Sequence, residues 1–333
     1  MLTIALAIGV LVVFRQINGG QQPMLHELQG LTMGTIIYNV KYMGLEEANY
    51  QYEVDSILEA FNQSLSTYIP SSELSQFNKN NSITFASSLM PKMLQTSKVI
   101  YENSHGAYDP TIGPLVNTWG FGPKKKAMLD SAQVDSLLNV VGFDHIVFND
   151  KSATKPSNSY VDFSASTKGY ALDVIAEFFD SKNVVDYMIE IGGEVRCQGA
   201  NQNAKKWNIG IEKPSMTNAR GDVFATAFLI DRSLATSGNY RNYYQQGNQI
   251  IAHTISPFTG YSVSHNLLSA SIFAPTCALA DGYATACMVM GLDQSIEMIE
   301  KLNGIDAFFI YSNPDGTLGH YVTKGIETQL EVL

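Results

Sequence analysis

Residues 277–291, CALADGYATACMVMG, set one carboxylate into a run of Ala, Leu, Met, Val and Cys that reads as a buried helix. An ionised carboxylate in such a setting costs on the order of several kcal/mol unless it is paired, hydrogen-bonded or bound to a cation. The helix opens near Thr276, after Pro275, so Asp281 lies about a turn too deep to act as its N-cap. Thr285 follows four positions later and projects from the same face. Two hard oxygens on one helix face suit Mg²⁺. A Lys or Arg elsewhere in the chain would satisfy Asp281 as well, and this segment alone does not choose between the two.

Four further stretches carry residue types that do chemistry. In YVDFSASTKGYALDVIAEFF, residues 160–179, a short strand is expected to end at Asp162 and Phe163, turn through Ser164 to Thr167 and enter a helix. Such a turn can offer backbone N–H groups to a phosphate and a free carbonyl to a metal. Lys168 at the helix start opposes the dipole, which a bound anion would explain; an ordinary connector with a solvated Lys is the alternative. In IEIGGEVRCQG, Gly192 and Gly193 interrupt a strand, as in a bulge or a close backbone approach to a ligand. His253 in AHTISPFTGYSVSH precedes a Pro and Gly turn and is either a general base beside a cleft or a structural His. NSHGAYDPTIGPLVNTWGFG has the Gly, Pro and aromatic density of an ordered loop, whether packed on itself or stacked on an aromatic ligand.

These stretches need a scaffold, and 333 residues at 45% hydrophobic are enough for one large domain or two closely joined lobes. Strands are expected around GTIIYNVKY, YMIEIGGEVRCQG, WNIGIEK, VFATAFLI, LLSASIFA and DAFFIY. Helices are expected near ANYQYEVDSILEAFNQSL, MPKMLQTSKVIYENS, 168–180 and 277–291. Several strands follow one another without a helix between them, so the fold class is α+β rather than a doubly wound parallel sheet. With no fixed-period repeat and no low-complexity linker, residues 23–333 read as one integrated domain.

The net charge of -10 argues against a nucleic-acid surface and against simple electrostatic capture of anions. A phosphate-bearing ligand would then need a local metal or a cradle of N–H groups. Cys197, Cys277 and Cys287 have neither zinc-site nor disulfide-framework spacing. The last two cannot pair within one helix, being about 15 Å apart along its axis. The apolar run from Leu2 to Phe14 marks residues 1–22 as a signal peptide or N-terminal membrane anchor, which predicts an exported or inner-membrane-anchored protein facing the periplasm.

Taken in order, MGTIIYNV, STYIPSSELSQFN, GAYDPTIGPLVNTWGFG, VDFSASTKGYALD, IEIGGEVRCQG, WNIGIEKP, LATSGNYRN, AHTISPFTGY and ALADGYATACMVMG resemble the ApbE family of FAD:protein FMN transferases. The resemblance implies a mixed α+β fold of two closely joined lobes around a flavin cleft, with Mg²⁺ at the pyrophosphate. It implies transfer of the FMN half of FAD to a Thr or Ser hydroxyl of an acceptor flavoprotein, such as a subunit of a membrane redox pump, with release of AMP. The family's flavin contacts fall on Met33, Tyr68, Ala107, Tyr108, Asp109, Asp162, Lys168, Gly192, Gly193 and Ile255. Its metal ligands fall on Asp281, Thr285 and the carbonyl of Ala165, and its general base on His253. The chain departs from some members at Ala284, where they carry a second Asp, and at Lys168, where they carry Glu.

Such a site suits attack on a pyrophosphate, because Mg²⁺ neutralises the nonbridging oxygens and the charge that develops on AMP. The same residues also admit a Mg²⁺-dependent FAD pyrophosphatase, with water as the nucleophile, or a non-catalytic extracytoplasmic FAD-binding protein.

Overall fold

The computed structural model describes residues 23–121, 130–215, 221–239, 243–246 and 249–333, and the proposed signal or anchor at 1–22 lies outside them. Among the described residues no helix is long and apolar enough to cross a membrane.

The chain opens with a hairpin of β1 (Met24–Thr32) and β2 (Ile36–Gly44), followed by helices α1 (Gln51–Leu65), α2 (Glu73–Lys79) and α3 (Leu89–Asn103). Short strands β3 (Ser82–Thr84), β4 (Val147–Phe148) and β5 (Ser152–Thr154) form a small sheet, and α4 (Gly113–Thr118) packs on α5 (Ser131–Leu138). Then come α6 (Thr167–Ser181), β6 (Tyr187–Ile191), β7 (Glu194–Gln198), β8 (Trp207–Glu212), β9 (Val223–Leu229), β10 (Arg232–Gly238), β11 (Tyr243–Gln246) and β12 (Gln249–Ala252). The chain closes with β13 (Leu267–Ala274), α7 (Cys277–Met290), α8 (Leu292–Glu300), β14 (Asp306–Ser312), β15 (Leu318–Val322) and β16 (Leu330–Val332).

The backbone of the fold is an eight-stranded sheet in the order β1-β2-β6-β7-β10-β13-β14-β15, antiparallel at every pairing. This is the α+β architecture expected from strands that follow one another directly. One sheet carries eight of the strands, and the described residues form a single domain. Helices α6 and α7 cover one face, and the three-stranded sheet β16-β9-β8 packs against part of the other through Trp207, Ile211, Ala225, Ala227 and Leu229. Strand β13 is covered on both sides, which is why LLSASIFA is apolar or small throughout rather than alternating.

Helix α7 is buried nearly all round, against the sheet, α6 and α3. Two glycines make that possible. A Cβ on Gly169 would fall on the carbonyl of Cys277, and one on Gly282 would fall on the Ile100 side chain. The N-terminus of α7 is capped from outside: Thr276 makes no side-chain cap, and Asp173 of α6 accepts from the N–H groups of Cys277 and Ala278, both at 2.8 Å. A carboxylate at that end of a helix satisfies orphan donors and complements the dipole. Cys277 and Cys287 are both buried and free, as their shared helix requires.

Two local expectations give way. Residues 160–163 are extended but form no strand: Val161 pairs through both main-chain groups with the side chain of Asn78, and Asp162 N–H donates to the carbonyl of Pro110. Gly192 and Gly193 are not a bulge inside a strand but the two-residue turn between β6 and β7, with φ of 61° and 108°. Positive φ at both central residues matches the right-handed twist of a tight hairpin, and glycine adopts it without strain.

Candidate active site

A cleft of about 300 Å³ opens where four segments converge: residues 107–121, the turn 162–168, the face of α7 bearing Asp281 and Thr285, and the loop after β12. The first and last are tied together, since Trp119 Nε1 donates to the carbonyl of Gly260 at 2.8 Å and Leu115, Trp119, Val134 and Ile255 share an apolar cluster.

At the inner end lie three hard oxygens. The hydroxyl of Thr285 donates to the carbonyl of Ala165 at 3.3 Å, which joins α7 to the 162–168 turn. Asp281, buried at 4% exposure, accepts from the N–H of Gly169 at 3.0 Å. Burial raises the pKa of its carboxyl, and Lys168 and the Gly169 N–H offset part of that rise. Both alternatives open in the sequence are therefore present at one residue: Asp281 has a cationic neighbour and also faces a cleft. Among the described residues there is no cluster of three or more His, Cys, Asp or Glu side chains fit for a metal, so any metal here would rely on mixed oxygen donors.

Lys168, for which a bound anion and a solvated connector were the two readings, meets an anionic side chain of the protein. Lys168 Nζ lies 2.5 Å from Glu194 Oε1. Burial disfavours the ammonium, but Asp281 and Glu194 outweigh it and hold the Lys168 pKa above its ordinary value. Glu194 is almost fully buried, and its Oε2 has no hydrogen-bond partner. Burial, with Asp281 adding to it, pushes the Glu194 carboxyl up to about 7 against the pull of Lys168.

The aromatic and acidic wall comes from residues 107–121. Tyr108 is fully buried, its hydroxyl bonded to Ser166 at 2.6 Å and Ser97 at 3.1 Å. The Asp109 carboxylate accepts from Thr111 N and Oγ1 and from Phe143 N, so it braces the loop. Asp162 accepts from Ser164 N at 2.9 Å, and burial raises its pKa. His253 is half-buried, its ring 6.3 Å from that of Phe121 in a T-shaped arrangement.

The sequence pattern of the ApbE family matches residues 33–309. The chain belongs to the ApbE family. Among its relatives, the FAD:protein FMN transferase of Haemophilus influenzae is 37% identical over 313 residues, covering 89% of this chain and 88% of the relative. That of Vibrio cholerae is 37% identical over 307 residues, covering 87% and 88%. The solved flavin transferase ApbE from Vibrio cholerae superposes with a TM-score of 0.82 at 33% identity, over 92% of this chain and 99% of that one. The apo form of the flavinyl transferase ApbE from Pseudomonas stutzeri gives 0.82 at 27% identity, over 92% and 97%.

Of the site residues implied by the ApbE resemblance, Ala107, Tyr108, Asp109, Asp162, Ala165, Lys168, His253, Ile255, Asp281 and Thr285 all line the one cleft. The others do not line it. Tyr68 is 70% exposed and acts on the charge of Tyr160. Met33 lies in the β1–β2 turn at φ 49°. Gly192 lies behind Lys168, where a Cβ would come within 3.5 Å of Lys168 Cδ and 2.9 Å of Ile36 Cγ2, and Gly193 completes the turn. A side chain at residue 192 would thus collide with Ile36.

Several lining residues escaped sequence reasoning, among them Ile112, Val116, Phe121, Ser237 and Met288. Glu194 also escaped, although a signal was present: a charged residue directly after a Gly-Gly turn, opposite Ile191 across the hairpin and thus on the same covered face.

Proposed function

We propose that this protein transfers the FMN moiety of FAD to a hydroxyl of an acceptor protein and releases AMP. The observation that carries the reading is the convergence on one cleft of hard oxygens, an ammonium and an imidazole, in a chain whose FAD:protein FMN transferase relatives match it along nearly nine tenths of its length.

Asp281, the Thr285 hydroxyl and the Ala165 carbonyl are a carboxylate, a hydroxyl and an amide oxygen, with the latter two already 3.3 Å apart. This donor set fits Mg²⁺, a hard cation that binds through oxygen and takes few protein carboxylates. When bound, Mg²⁺ supplies charge neutralisation at the pyrophosphate and a better leaving group. The protein does the rest. Lys168 lines the cleft with its ammonium paired to Glu194 and offers its remaining N–H donors to a phosphate. The His253 imidazole takes the proton of a Thr or Ser hydroxyl as its oxygen bonds to the FMN phosphorus and the bond to the AMP oxygen breaks. The aromatic wall of Tyr108 and Phe121 shields that end of the cleft from water, which favours a protein hydroxyl over hydrolysis.

The apolar run from Leu2 to Phe14 supports action outside the cytoplasm, on exported flavoproteins or subunits of membrane redox pumps. Export is tested by fusing residues 1–30 to a reporter active only beyond the inner membrane; cytoplasmic retention would remove that part of the reading. The chemistry is tested by incubating the purified protein with FAD, Mg²⁺ and an intact acceptor flavoprotein. AMP with a flavin-fluorescent acceptor band that survives denaturing electrophoresis is the expected result. AMP with free FMN would make the protein a pyrophosphatase, and unchanged FAD a binding protein.

A further inference from the structure

Glu194 does not line the cleft, yet it is buried at 3% exposure and reaches the cleft through one contact, the 2.5 Å ion pair with Lys168. Lys168 and Asp281 line the same cleft, Asp281 is bonded to the N–H of the next residue, Gly169, and its charge acts on Lys168. An ammonium in that position has two places to go. Drawn toward Asp281, it would neutralise the only carboxylate among the three oxygen donors. Held by Glu194, it leaves Asp281 to the neutral N–H of Gly169 among the described residues.

The backbone favours the second arrangement. The two-residue turn at Gly192 and Gly193 sets Glu194 opposite Ile191, on the face of the sheet covered by α6. Glu194 Oε2 has no other hydrogen-bond partner that would draw the carboxylate away.

We propose that Glu194 is a positioning residue: by anchoring the Lys168 ammonium it keeps Lys168 from neutralising Asp281, and so keeps Asp281 available to a divalent cation. The inference rests on the cation site of the proposed function. Its distinguishing property is that Glu194 matters only while Lys168 is present. A carboxylate acting through its own charge would help the cation equally with or without Lys168.

The test is calorimetric titration of Mg²⁺ into the full-length, FAD-free protein, in a cycle of wild type, Glu194→Gln, Lys168→Gln and the double variant. Glu194→Gln is expected to weaken Mg²⁺ binding by about 10- to 100-fold, the range typical for loss of an outer partner of a metal ligand. Lys168→Gln should bind at least as tightly as wild type, and adding Glu194→Gln to it should change nothing further. An equal loss in both backgrounds, or none in either, would overturn the anchoring role. Wild-type protein that binds no Mg²⁺ would instead overturn the cation site itself, and this inference with it. Should Glu194→Gln fail to fold, Glu194→Asp keeps the charge but withdraws it by one methylene, and it carries the same cycle.

Discussion

The N–H of Gly169 donates to Asp281 Oδ2 at 3.0 Å at the point where α6 and α7 cross with backbone against backbone, the carbonyl of Cys277 filling the space a Cβ on residue 169 would need. One glycine therefore sets both the helix crossing and the orientation of a site carboxylate. Gly169→Ala should force the helices apart and destabilise the protein by about 1–3 kcal/mol, the usual range for overpacking a core, because backbone cannot move aside as a side chain can. Urea unfolding would measure this, and Mg²⁺ affinity should fall in the protein that remains folded. Unchanged stability would mean that the two helices are not in backbone contact.

Asp281→Ala removes a buried charge whose protein partners are one N–H and the field of Lys168, and Lys168 keeps Glu194. The variant should fold, as judged by circular dichroism, and lose about 100-fold or more of its FMN transfer at limiting Mg²⁺, beyond the loss typical of an outer partner. Thr285→Ala, which removes one 3.3 Å hydrogen bond to Ala165, should cost less. Full turnover by Asp281→Ala at limiting Mg²⁺ would exclude it as a ligand.

His253→Gln separates chemistry from binding. If the imidazole takes the acceptor proton, the variant should keep FAD affinity, read by flavin fluorescence quenching, while transfer slows by about 10²- to 10⁴-fold, as expected for a lost general base. Parallel loss of affinity and rate would make His253 a binding residue instead.

Stability should carry a pH signature from Asp173. Burial pushes its carboxyl up to about 6 despite Arg196 at 2.9 Å and the N–H groups of Cys277 and Ala278. An acid whose folded pKa is raised holds its proton more tightly when folded, so its contribution is complete below about pH 4 and is lost as pH rises through about 6. Asp173→Asn cannot titrate. In urea unfolding from pH 4 to 7.5, the stability of wild type relative to Asp173→Asn should decline up to about pH 6 to 7 and then level off. A relative stability that rises with pH would show the Arg196 pairing to dominate.

Periodicity and order made the scaffold legible. Strands without intervening helices pointed to an α+β fold rather than a doubly wound parallel sheet, and a run apolar on every side pointed to a buried helix, because burial on all faces leaves no polar stripe. The placement of Asp281 and Thr285 one turn apart on that helix followed from its geometry. Pairings between distant segments had no such signature. Glu194 and Arg196 face the same covered side of the sheet, and α6 answers them with Lys168 and Asp173. That match depends on a turn of two residues: one more residue would move the charged side chains to the other face of the sheet. Sequence reasoning read the glycines as a bulge or a close backbone approach to a ligand, and so could not tell that the partner of Lys168 lay in its own chain. The types of group at the site were thus determined locally, by residue and spacing. Which charge meets which was decided by strand register and by a helix crossing that only a glycine permits, since ion pairs between distant segments depend on distances that no local pattern encodes.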